Sequence, residues 1–228
     1  MEKFAREGIR DCQYENYPIE HIGLLPELLT SIPGLAGLNV TIPYKKQVMV
    51  LLDELDDEAK QVGAVNTIAF IKQGGHTYLK GYNTDVFGFR MSIAPLIRPH
   101  YRKAIILGTG GSSKAVAFVL ESMGLEISCV SRNPAGEKQI SYAQFNQEMI
   151  THSQVIINTS PVGMYPKISD CPEIPYEFLT PDHLLFDLIY NPSETRFLER
   201  GRQMGAQIMN GLQMLHLQAE RSWDIWNG

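Results

Sequence analysis

Two adjacent lysines, Lys45 and Lys46, follow an apolar run that ends at Pro43. Beyond them, apolar residues recur at the spacing of one helical face: Val48, Leu51, Leu52 and Leu55. This spacing predicts an amphipathic helix that begins at the lysines. A cation there opposes the helix dipole at a cost of about 0.3–1 kcal/mol, which favours proton release. Such a lysine is suited to proton transfer, although a surface lysine is most often only solvated.

The segment KAIILGTGGSSKAVAFVL (103–120) has the pattern of a strand, a glycine-rich turn and a helix. Gly108, Gly110 and Gly111 allow the backbone to turn tightly and to approach a pyrophosphate, which the N-terminal amides of the helix bind. Ser113 replaces the third glycine of the usual fingerprint, so the prediction rests on the order of strand, turn and helix. We predict a dinucleotide site here; the alternative is a tight turn without a ligand.

The end of the next predicted strand bears on the choice of cofactor. ISCVSRNP (127–134) ends in Ser131 and Arg132 without an acid. A site for NAD usually has an acid there, which binds the ribose hydroxyl. The guanidinium of Arg132 suits the 2′-phosphate of NADP, so NADP is favoured over NAD. The alternative for Arg132 is a solvated arginine in a loop.

Four apolar runs in the second part of the chain alternate with helical segments: KAIILG, EISCVS, QVIINTS and HLLFDLI. This alternation predicts a parallel sheet covered by helices on both faces. We therefore predict an α/β protein with two domains, residues 1–86 and a Rossmann-like, NADP-binding domain over residues 87–209. A C-terminal helix in residues 210–228 should return to the first domain through one stripe: Leu212, Leu215, Ala219, Trp223 and Trp226.

Composition excludes several classes of function. Hydrophobic residues make up 44% and charged residues 20%, as in an ordinary soluble protein. The net charge of -5 gives no electrostatic footprint for nucleic acid or an anionic membrane. No apolar stretch is long enough to span a bilayer, and the charged start does not resemble a signal peptide. The expected partner is a small molecule, and the expected assembly is a monomer or homodimer.

Cysteines and histidines point away from a disulfide framework and a metal site. The 3 cysteines are odd in number and far apart, which indicates reduced thiols and a cytoplasmic location. The 6 histidines show no metal-ligand spacing with one another or with cysteine, so no metal is predicted.

Taken together, seven segments make the chain resemble the shikimate dehydrogenase family, which reduces 3-dehydroshikimate with NADPH in aromatic amino acid biosynthesis. The segments follow the family's order and cover nearly the whole chain: GLNVTIPYK, GAVNT, GYNTD, GTGGSSKA, SRN, NTSPVGM and NGLQMLHLQA. Each is a modest signal by itself, whereas the ordered set is specific. The resemblance makes residues 1–86 a substrate-binding and catalytic domain.

The resemblance also implies roles for individual residues. Lys45 and Asp85 are the expected catalytic pair, with Lys46 a solvated neighbour. Taken alone, Asp85 is equally well explained as the N-cap of a helix that begins near Val86. The expected substrate-binding residues are Thr41, Asn66, Tyr190 and Gln218. The expected cofactor-binding residues are Gly108, Thr109, Gly110, Gly111, Ser112, Ser131, Arg132, Asn133, Leu188 and Gly211.

The beginning of the sequence departs from the family pattern. Members usually open with a strand and a loop whose two serines bind the substrate carboxylate, and MEKFAREGIRDC has no equivalent. For a chain that truly lacks this segment, we expect an exposed sheet edge and a weaker hold on the substrate.

The function expected from the resemblance is the NADP-dependent, reversible oxidation of shikimate to 3-dehydroshikimate, with Lys45 and Asp85 assisting proton transfer. An NAD-dependent quinate/shikimate dehydrogenase is the nearest enzymatic alternative. A regulatory protein that binds a nucleotide or metabolite without turnover is the alternative from another class, because motifs indicate fold more firmly than activity.

Overall fold

A computed structural model describes residues 2–228, in which the residues up to Leu35 and Ala36–Gly228 form two compact units. The first unit contains helix α1 (Glu2–Glu7), a 3-10 helix at Ile22–Leu24 and helix α2 (Leu25–Ser31). All the candidate site residues belong to the second unit, Ala36–Gly228, whose two sheets are described next.

The smaller sheet lies in residues 37–82. Its strands are β1 (Gly37–Asn39), β2 (Glu54–Leu55), β3 (Thr67–Gln73) and β4 (His76–Tyr82), in the order β1-β3-β4-β2. The β1–β3 and β3–β4 pairs are antiparallel, whereas β2 runs parallel to β4. Helix α3 (Asp57–Val62) begins at an N-cap, Asp56, whose side chain accepts a hydrogen bond of 2.9 Å from the Ala59 amide. Asn66, directly before β3, is held on both sides: its carbonyl accepts from the Val40 amide at 2.8 Å, and its amide donates to the Tyr82 carbonyl at 3.0 Å.

The amphipathic helix predicted after Lys45 and Lys46 is not formed. A 3-10 helix covers Gln47–Leu51, and the chain then continues into β2. The amide of Asp53 donates to the Leu79 carbonyl at 3.0 Å, so pairing with the edge of β4 replaces further helical turns. The prediction from apolar spacing was wrong because Leu55 belongs to β2 rather than to a helical face.

The larger sheet is parallel throughout. Its strands are β5 (Lys103–Leu107), β6 (Glu126–Ser131), β7 (Gln139–Ser141), β8 (Val155–Asn158), β9 (Leu184–Asp187) and β10 (Gln207–Met209). They are arranged in the order β10-β9-β8-β5-β6-β7. The connecting helices are α4 (Thr84–Ile93), α5 (Gly111–Ser122), α6 (Gln147–His152) and α7 (Arg196–Gln203), with 3-10 helices at Ala94–Leu96 and Tyr176–Phe178. This arrangement confirms the predicted α/β class with a Rossmann-like parallel sheet.

The sheet has a hydrophobic core on each face, as the continuous apolar strands require. Ala104 and Ile106 of β5 belong to one cluster, which includes buried residues of α4 and α5. Ile105 and Leu107 point the other way into a cluster that includes Phe197 of α7. Because parallel strands end at the same edge, these two cores hold the ends of β5, β6, β8 and β9 in one row.

Helix α8 (Leu212–Asn227) packs against α4 and β3. A Cβ atom at Gly88 would lie 2.7 Å from the Met214 carbonyl oxygen, so glycine permits the close approach of the two helices. At the other end of α8, the Trp226 indole donates to the Ile68 carbonyl at 3.0 Å. The predicted boundary near residue 86 falls inside α4, and the division at that residue stays a prediction.

The predicted inward stripe of α8 is wrong in part. Met214 and Ser222 are its buried residues, whereas Leu212 and Ala219 are exposed. The close contact at Gly88 and the hydrogen bonds of Ser222 turn the helix away from the face that hydrophobicity alone predicts. Packing of α8 is therefore set by a small residue and a polar residue together.

We predict that Gly88→Ala lowers the free energy of unfolding. Overpacking costs about 1–3 kcal/mol, and the cost should lie near the upper end here because the atom met at 2.7 Å is a backbone oxygen. The better helix propensity of alanine returns only about 1 kcal/mol, so a net loss remains. The midpoint of urea unfolding should fall accordingly. Met91→Ala, on the exposed side of the same helix, is the control and should shift stability by less than about 0.5 kcal/mol. Equal midpoints for Gly88→Ala and the unmodified protein would contradict the proposed contact.

Candidate active site

Lys45 and Asp85 form a buried ion pair. The Lys45 ammonium donates to Oδ2 of Asp85 at 2.6 Å, and the two side chains are only 11% and 8% exposed. The carbonyl of Lys45 accepts a hydrogen bond from the Val65 amide at 2.8 Å, which fixes its backbone beside the start of β3. The methylenes of Lys45 pass Gly111, where a Cβ atom would lie 3.5 Å from Cδ. The ion pair is thereby held next to the first residue of α5.

Asp85 is not the N-cap of α4. Asn83 has that role, because its Oδ1 accepts from the Val86 amide at 3.3 Å. Asp85 lies in the first turn, where the helix dipole favours a negative charge. With capping left to Asn83, the carboxylate of Asp85 is directed to Lys45 and Asn66.

Asn66 fixes the orientation of the carboxylate. Its Nδ2 donates to Oδ1 of Asp85 and to the Thr84 hydroxyl, both at 3.0 Å, and its Oδ1 accepts from the Thr84 amide at 2.7 Å. Asn66 is 3% exposed, so it is a buried amide and not the turn residue that its type alone suggests. Oε1 of Gln218 lies 3.4 Å from Asn66 Nδ2, which brings α8 to the same cluster.

Three buried hydroxyl groups support this cluster from behind. Thr67 and Ser222 are 2.9 Å apart, and each lies 3.2 Å from the Thr84 hydroxyl. The side-chain Nδ2 of Asn39 donates to the Ser222 hydroxyl at 3.0 Å and to the Thr67 hydroxyl at 3.1 Å. Asn39, Thr67 and Thr84 lie inside the motifs GLNVTIPYK, GAVNT and GYNTD, although none of the three is among the predicted site residues, and no signal in the sequence indicated Ser222. Together they join β1, β3, α4 and α8 behind Asn66.

Thr41 and Tyr190 are not joined to the Lys45 cluster by hydrogen bonds within residues 2–228. Thr41 is exposed, and its carbonyl accepts from the Tyr44 amide at 2.9 Å in the turn that leads to Lys45. Tyr190 follows β9 and is 48% exposed. Their assignment to the substrate stays a prediction.

The glycine loop has the geometry of an anion cradle. Gly108 adopts φ of 115°, and a Cβ atom there would lie 2.8 Å from the Thr159 hydroxyl. Gly110 faces open space and supplies no side chain to cap α5. Ser113 is buried and donates to the Gly110 carbonyl at 2.6 Å, which explains why serine replaces glycine there. Thr109 is exposed and Ser112 half-buried, so the amides at the start of α5 can receive an anion.

The loop after β6 exposes Arg132. The Ser131 hydroxyl accepts from the Asn133 amide at 3.3 Å, which turns the chain at the end of the strand. Within the part of the chain that the structure describes, no carboxylate lies within ion-pair distance of Arg132. Its charge is therefore available to an anionic ligand.

Leu188 and Gly211 meet at the opposite side of the row of strand ends. The Leu188 amide donates to the Asn158 carbonyl at 3.0 Å, and the Gly211 amide donates to the Ile189 carbonyl at 3.1 Å. A Cβ atom at Gly211 would lie 2.1 Å from the Leu188 carbonyl oxygen, so only glycine fits. These contacts bring the chain before α8 onto the end of β9.

Lys46 is exposed, but it is not isolated from other charged groups. Lys114 lies in the first turn of α5, with its ammonium 3.2 Å from where a Cβ atom of Gly63 would be. Burial, and next the charge of Lys46, lower the pKa of the Lys114 ammonium. Two cations therefore lie together beside the glycine loop, where an anion would relieve their repulsion.

The described residues offer neither a metal-binding cluster nor a membrane-spanning helix. Residues 2–228 contain no cluster of three or more histidine, cysteine, aspartate or glutamate side chains that could hold a metal ion. Across the same residues, no helix has the length and apolar character needed to cross a membrane.

Comparisons with known proteins agree on one family. The family model described as the shikimate dehydrogenase substrate binding domain matches residues 1–68. Shikimate dehydrogenase (NADP(+)) of Desulforamulus reducens is 37% identical over 91% of this chain and 77% of its own length. The enzyme of the same name from Methanococcus vannielii is 38% identical over 86% of this chain and 73% of its own.

Solved structures give the same result. A chorismate mutase/shikimate 5-dehydrogenase fusion protein from Clostridium acetobutylicum has a TM-score of 0.85 and 37% identity, covering 99% of this chain and 82% of that chain. A shikimate dehydrogenase in complex with NADP+ has a TM-score of 0.77 and 33% identity, covering 91% of this chain and 77% of its own.

We predict that Lys45→Met lowers the free energy of unfolding by about 3 kcal/mol, because it leaves the buried carboxylate of Asp85 without its cation. Adding Asp85→Asn should recover at least about 1 kcal/mol, since the unpaired charge is then gone. Urea unfolding of the two single variants and the double variant measures the coupling.

The control for this cycle is Lys60→Met. Lys60 pairs with Asp57 at 3.3 Å, but the two side chains are 55% and 89% exposed, so the loss should stay below about 1 kcal/mol. The buried pair is contradicted if Lys45→Met is no more destabilising than Lys60→Met.

Proposed function

The chain belongs to the shikimate dehydrogenase family, and from this premise we propose that it interconverts shikimate and 3-dehydroshikimate with NADP(H). The observation that carries the proposal is the Lys45–Asp85 pair, which is held at 2.6 Å beside the first residue of α5. A proton donor and a dinucleotide loop thus adjoin one another, as a hydride transfer coupled to a proton transfer requires. The reaction belongs to the oxidoreductases that act on a CH–OH group.

The roles of the ion pair follow from its charges. When bound, NADPH supplies the hydride that reduces the substrate ketone. Lys45 stabilises the negative charge that develops on the ketone oxygen and donates the proton that completes the hydroxyl group. In the reverse direction, the neutral amine of Lys45 accepts that proton. Asp85 orients Lys45 and balances its charge, while Asn66 holds Asp85.

The substrate residues are proposed on the same cluster. Both donors of Asn66 have short partners, and its third contact, with Gln218 Oε1, is the longest at 3.4 Å. A substrate hydroxyl would donate to Oε1 of Gln218 in place of this weak contact and would lie beside Asn66. Thr41 and Tyr190, both exposed, would contact the substrate from its other sides.

The residues present fit NADP. The amides from Thr109 to Ser112 would bind the pyrophosphate, with Lys46 and Lys114 adding positive charge. The Gly108 amide donates to the Val130 carbonyl at 2.9 Å, so Gly108 would contribute the tight turn and the close approach to the ligand. Arg132 would pair with the 2′-phosphate, and Ser131 and Asn133 shape the loop that presents it. Leu188 and Gly211 form the floor on the far side, where the missing Cβ of Gly211 permits close packing.

Location and assembly are also proposed. The residues Cys12, Cys129 and Cys171 are free thiols, which supports a reducing compartment such as the cytoplasm. A small-molecule substrate needs no partner chain, and either a monomer or a homodimer is compatible with the proposal.

We predict that Lys45→Ala reduces kcat for shikimate oxidation by about 100- to 10,000-fold, because the proton donor and its charge are removed. The control is Lys60→Ala, an exposed lysine on α3 outside the proposed site, which should keep kcat within a few-fold. The assay follows NADPH formation with the full chain. Turnover that Lys45→Ala does not reduce would refute the assigned role, and NADPH binding without any turnover would favour a regulatory protein.

We predict that Arg132→Ala raises KM for NADP+ by about 10- to 100-fold, which corresponds to a lost charge-assisted contact of about 1.5–3 kcal/mol. KM for NAD+ should change little, because NAD+ has no 2′-phosphate. Arg98→Ala is the control, since Arg98 pairs with Asp182 at 3.0 Å before the start of β5. A preference for NAD+ with quinate in the unmodified protein would instead favour a quinate/shikimate dehydrogenase.

A further inference from the structure

Asp187, the last residue of β9, is a fully buried carboxyl group that the proposed mechanism does not use. Within residues 2–228, no cation lies within ion-pair distance of it. Three donors hold it instead. Oδ1 accepts from Asn158 Nδ2 and from the Ile189 amide, both at 3.0 Å, and Oδ2 accepts from the Thr195 hydroxyl at 2.6 Å. A charge buried in this way is costly, so its presence calls for a role beyond packing.

The three donors belong to different segments. Asn158 ends β8, and its Oδ1 accepts from the amide and hydroxyl of Ser160 at 3.1 and 2.7 Å. Thr195 is the N-cap of α7 and accepts from the Leu198 amide at 3.4 Å. The carbonyl of Ile189 receives the Gly211 amide. One carboxyl group therefore joins the loop after β8, the loop after β9 and the starts of α7 and α8.

These segments carry the floor of the proposed cofactor site. Leu188 follows Asp187 directly, and Gly211 packs on the Leu188 carbonyl. We propose that Asp187 is a positioning residue for NADP(H) binding, whose ionised carboxylate holds Leu188, Ile189 and Gly211 in the binding arrangement and whose protonation loosens it. This inference rests on the proposed function, because it assigns the cofactor to that floor.

The hydroxyl of Thr195 makes the two charge states different. Toward an ionised Asp187, Thr195 donates its proton and keeps a lone pair for the Leu198 amide. When Oδ2 carries a proton that is directed at Thr195, the hydroxyl accepts that hydrogen bond instead, and its own proton then needs a different partner. The ionised form thus satisfies all three donors and the cap of α7 at once, which neutral Asp187 does not.

Burial raises the pKa of Asp187 to about 7, against the lowering effect of its three hydrogen bonds. A titratable group near it is Tyr176 of the 3-10 helix Tyr176–Phe178, whose pKa is raised first by burial and least by the charge of Asp187. Beyond Tyr176 lie Cys171 and the guanidinium of Arg200, 5.0 Å from the tyrosine ring. Asp187 is therefore expected to change charge near neutrality.

Ionisation of Asp187 is expected to lower the stability of the fold while it raises the affinity for NADPH. The pKa in the folded chain lies above the ordinary value of 3.8, so the folded state favours the proton. This contribution to stability is fully present below about pH 4 and is lost as pH rises to about 7. Above that pH the ionised carboxylate binds its donors well but destabilises the fold. A residue that only supports the structure would not couple tighter binding to lower stability.

The test uses Asp187→Asn, which keeps the shape and resembles the neutral form. NADPH dissociation constants are measured by calorimetry for variant and unmodified protein between pH 6 and pH 8. We expect the ratio of the dissociation constant of the variant to that of the unmodified protein to be near one at pH 6. It should rise at least about three-fold by pH 8, because only the unmodified protein has an ionisable group at position 187. Taking the ratio cancels the titration of the NADPH phosphate.

Thermal melting of the same proteins tests the expected loss of stability on ionisation of Asp187. Asp187→Asn should melt higher than the unmodified protein at pH 8, with the difference shrinking toward pH 4. Thr195→Ser, which retains the hydroxyl, should bind as the unmodified protein does, whereas Thr195→Val should weaken NADPH binding. Cys171→Ser is the control for the neighbouring thiol and should leave the affinity at both pH values unchanged.

The outcomes separate this inference from the proposed reaction. A ratio that stays constant from pH 6 to pH 8 overturns the role of Asp187 even if shikimate is turned over. A rising ratio supports that role even if shikimate is not the substrate, because neither calorimetry nor melting requires turnover. No NADPH binding by the unmodified protein overturns both.

Discussion

The buried contact between Lys45 and Asp85 is the constraint on which the arrangement of the site depends. Two opposite charges that are about nine-tenths buried are stable only when each has its partner and the remaining lone pairs are satisfied. Asn66 satisfies one oxygen of Asp85, and Asn83 takes over the cap of α4 so that the carboxylate stays free for Lys45. Asn66 and Asn83 thus keep the carboxylate of Asp85 paired with Lys45, and the charge of Lys45 is the one that the proposed reaction uses.

The support of this pair extends through polar contacts rather than through the hydrophobic core. Thr67, Thr84 and Ser222 hold β3, α4 and α8 together by hydroxyl groups that exchange hydrogen bonds. Gly88 lets α8 approach α4 closely enough for Ser222 to take part. Because buried hydroxyls are costly when unpaired, displacement of α8 would leave Thr67 and Thr84 with fewer partners and would alter Asn66 as well. The position of Gln218 is therefore tied to that of Asp85.

Sequence patterns predicted the parts of the protein that local periodicity and turn chemistry determine. The parallel sheet and the glycine-rich turn follow from apolar runs and turn residues. The convergence of Lys45, Asn66 and Asp85 was expected only from the resemblance to the family, because periodicity carries no information on contacts between distant segments. The helix expected after Lys46 failed because pairing with the edge of β4, a long-range contact, outweighs a short apolar pattern. The prediction of which face of α8 is buried was wrong in part, because Gly88 of α4 sets the rotation of this helix. No sequence signal indicated the role proposed for Asp187, since two of its three donors, Asn158 and Thr195, are not its neighbours along the chain.

Asp85 and Asp187 show two ways of keeping a buried carboxylate. Asp85 has a cation, so its charge is compensated where the proposed proton transfer takes place. Asp187 has only neutral donors, and burial raises its pKa to about 7, which leaves the fold less stable once the group ionises. A hydrophobic residue at either position would avoid that cost. It would leave Lys45 without its partner in one case, and would disconnect the loops after β8 and β9 from the starts of α7 and α8 in the other. Sites that bind and react commonly retain such unfavourable groups, because the stability that they forgo is exchanged for fixed geometry.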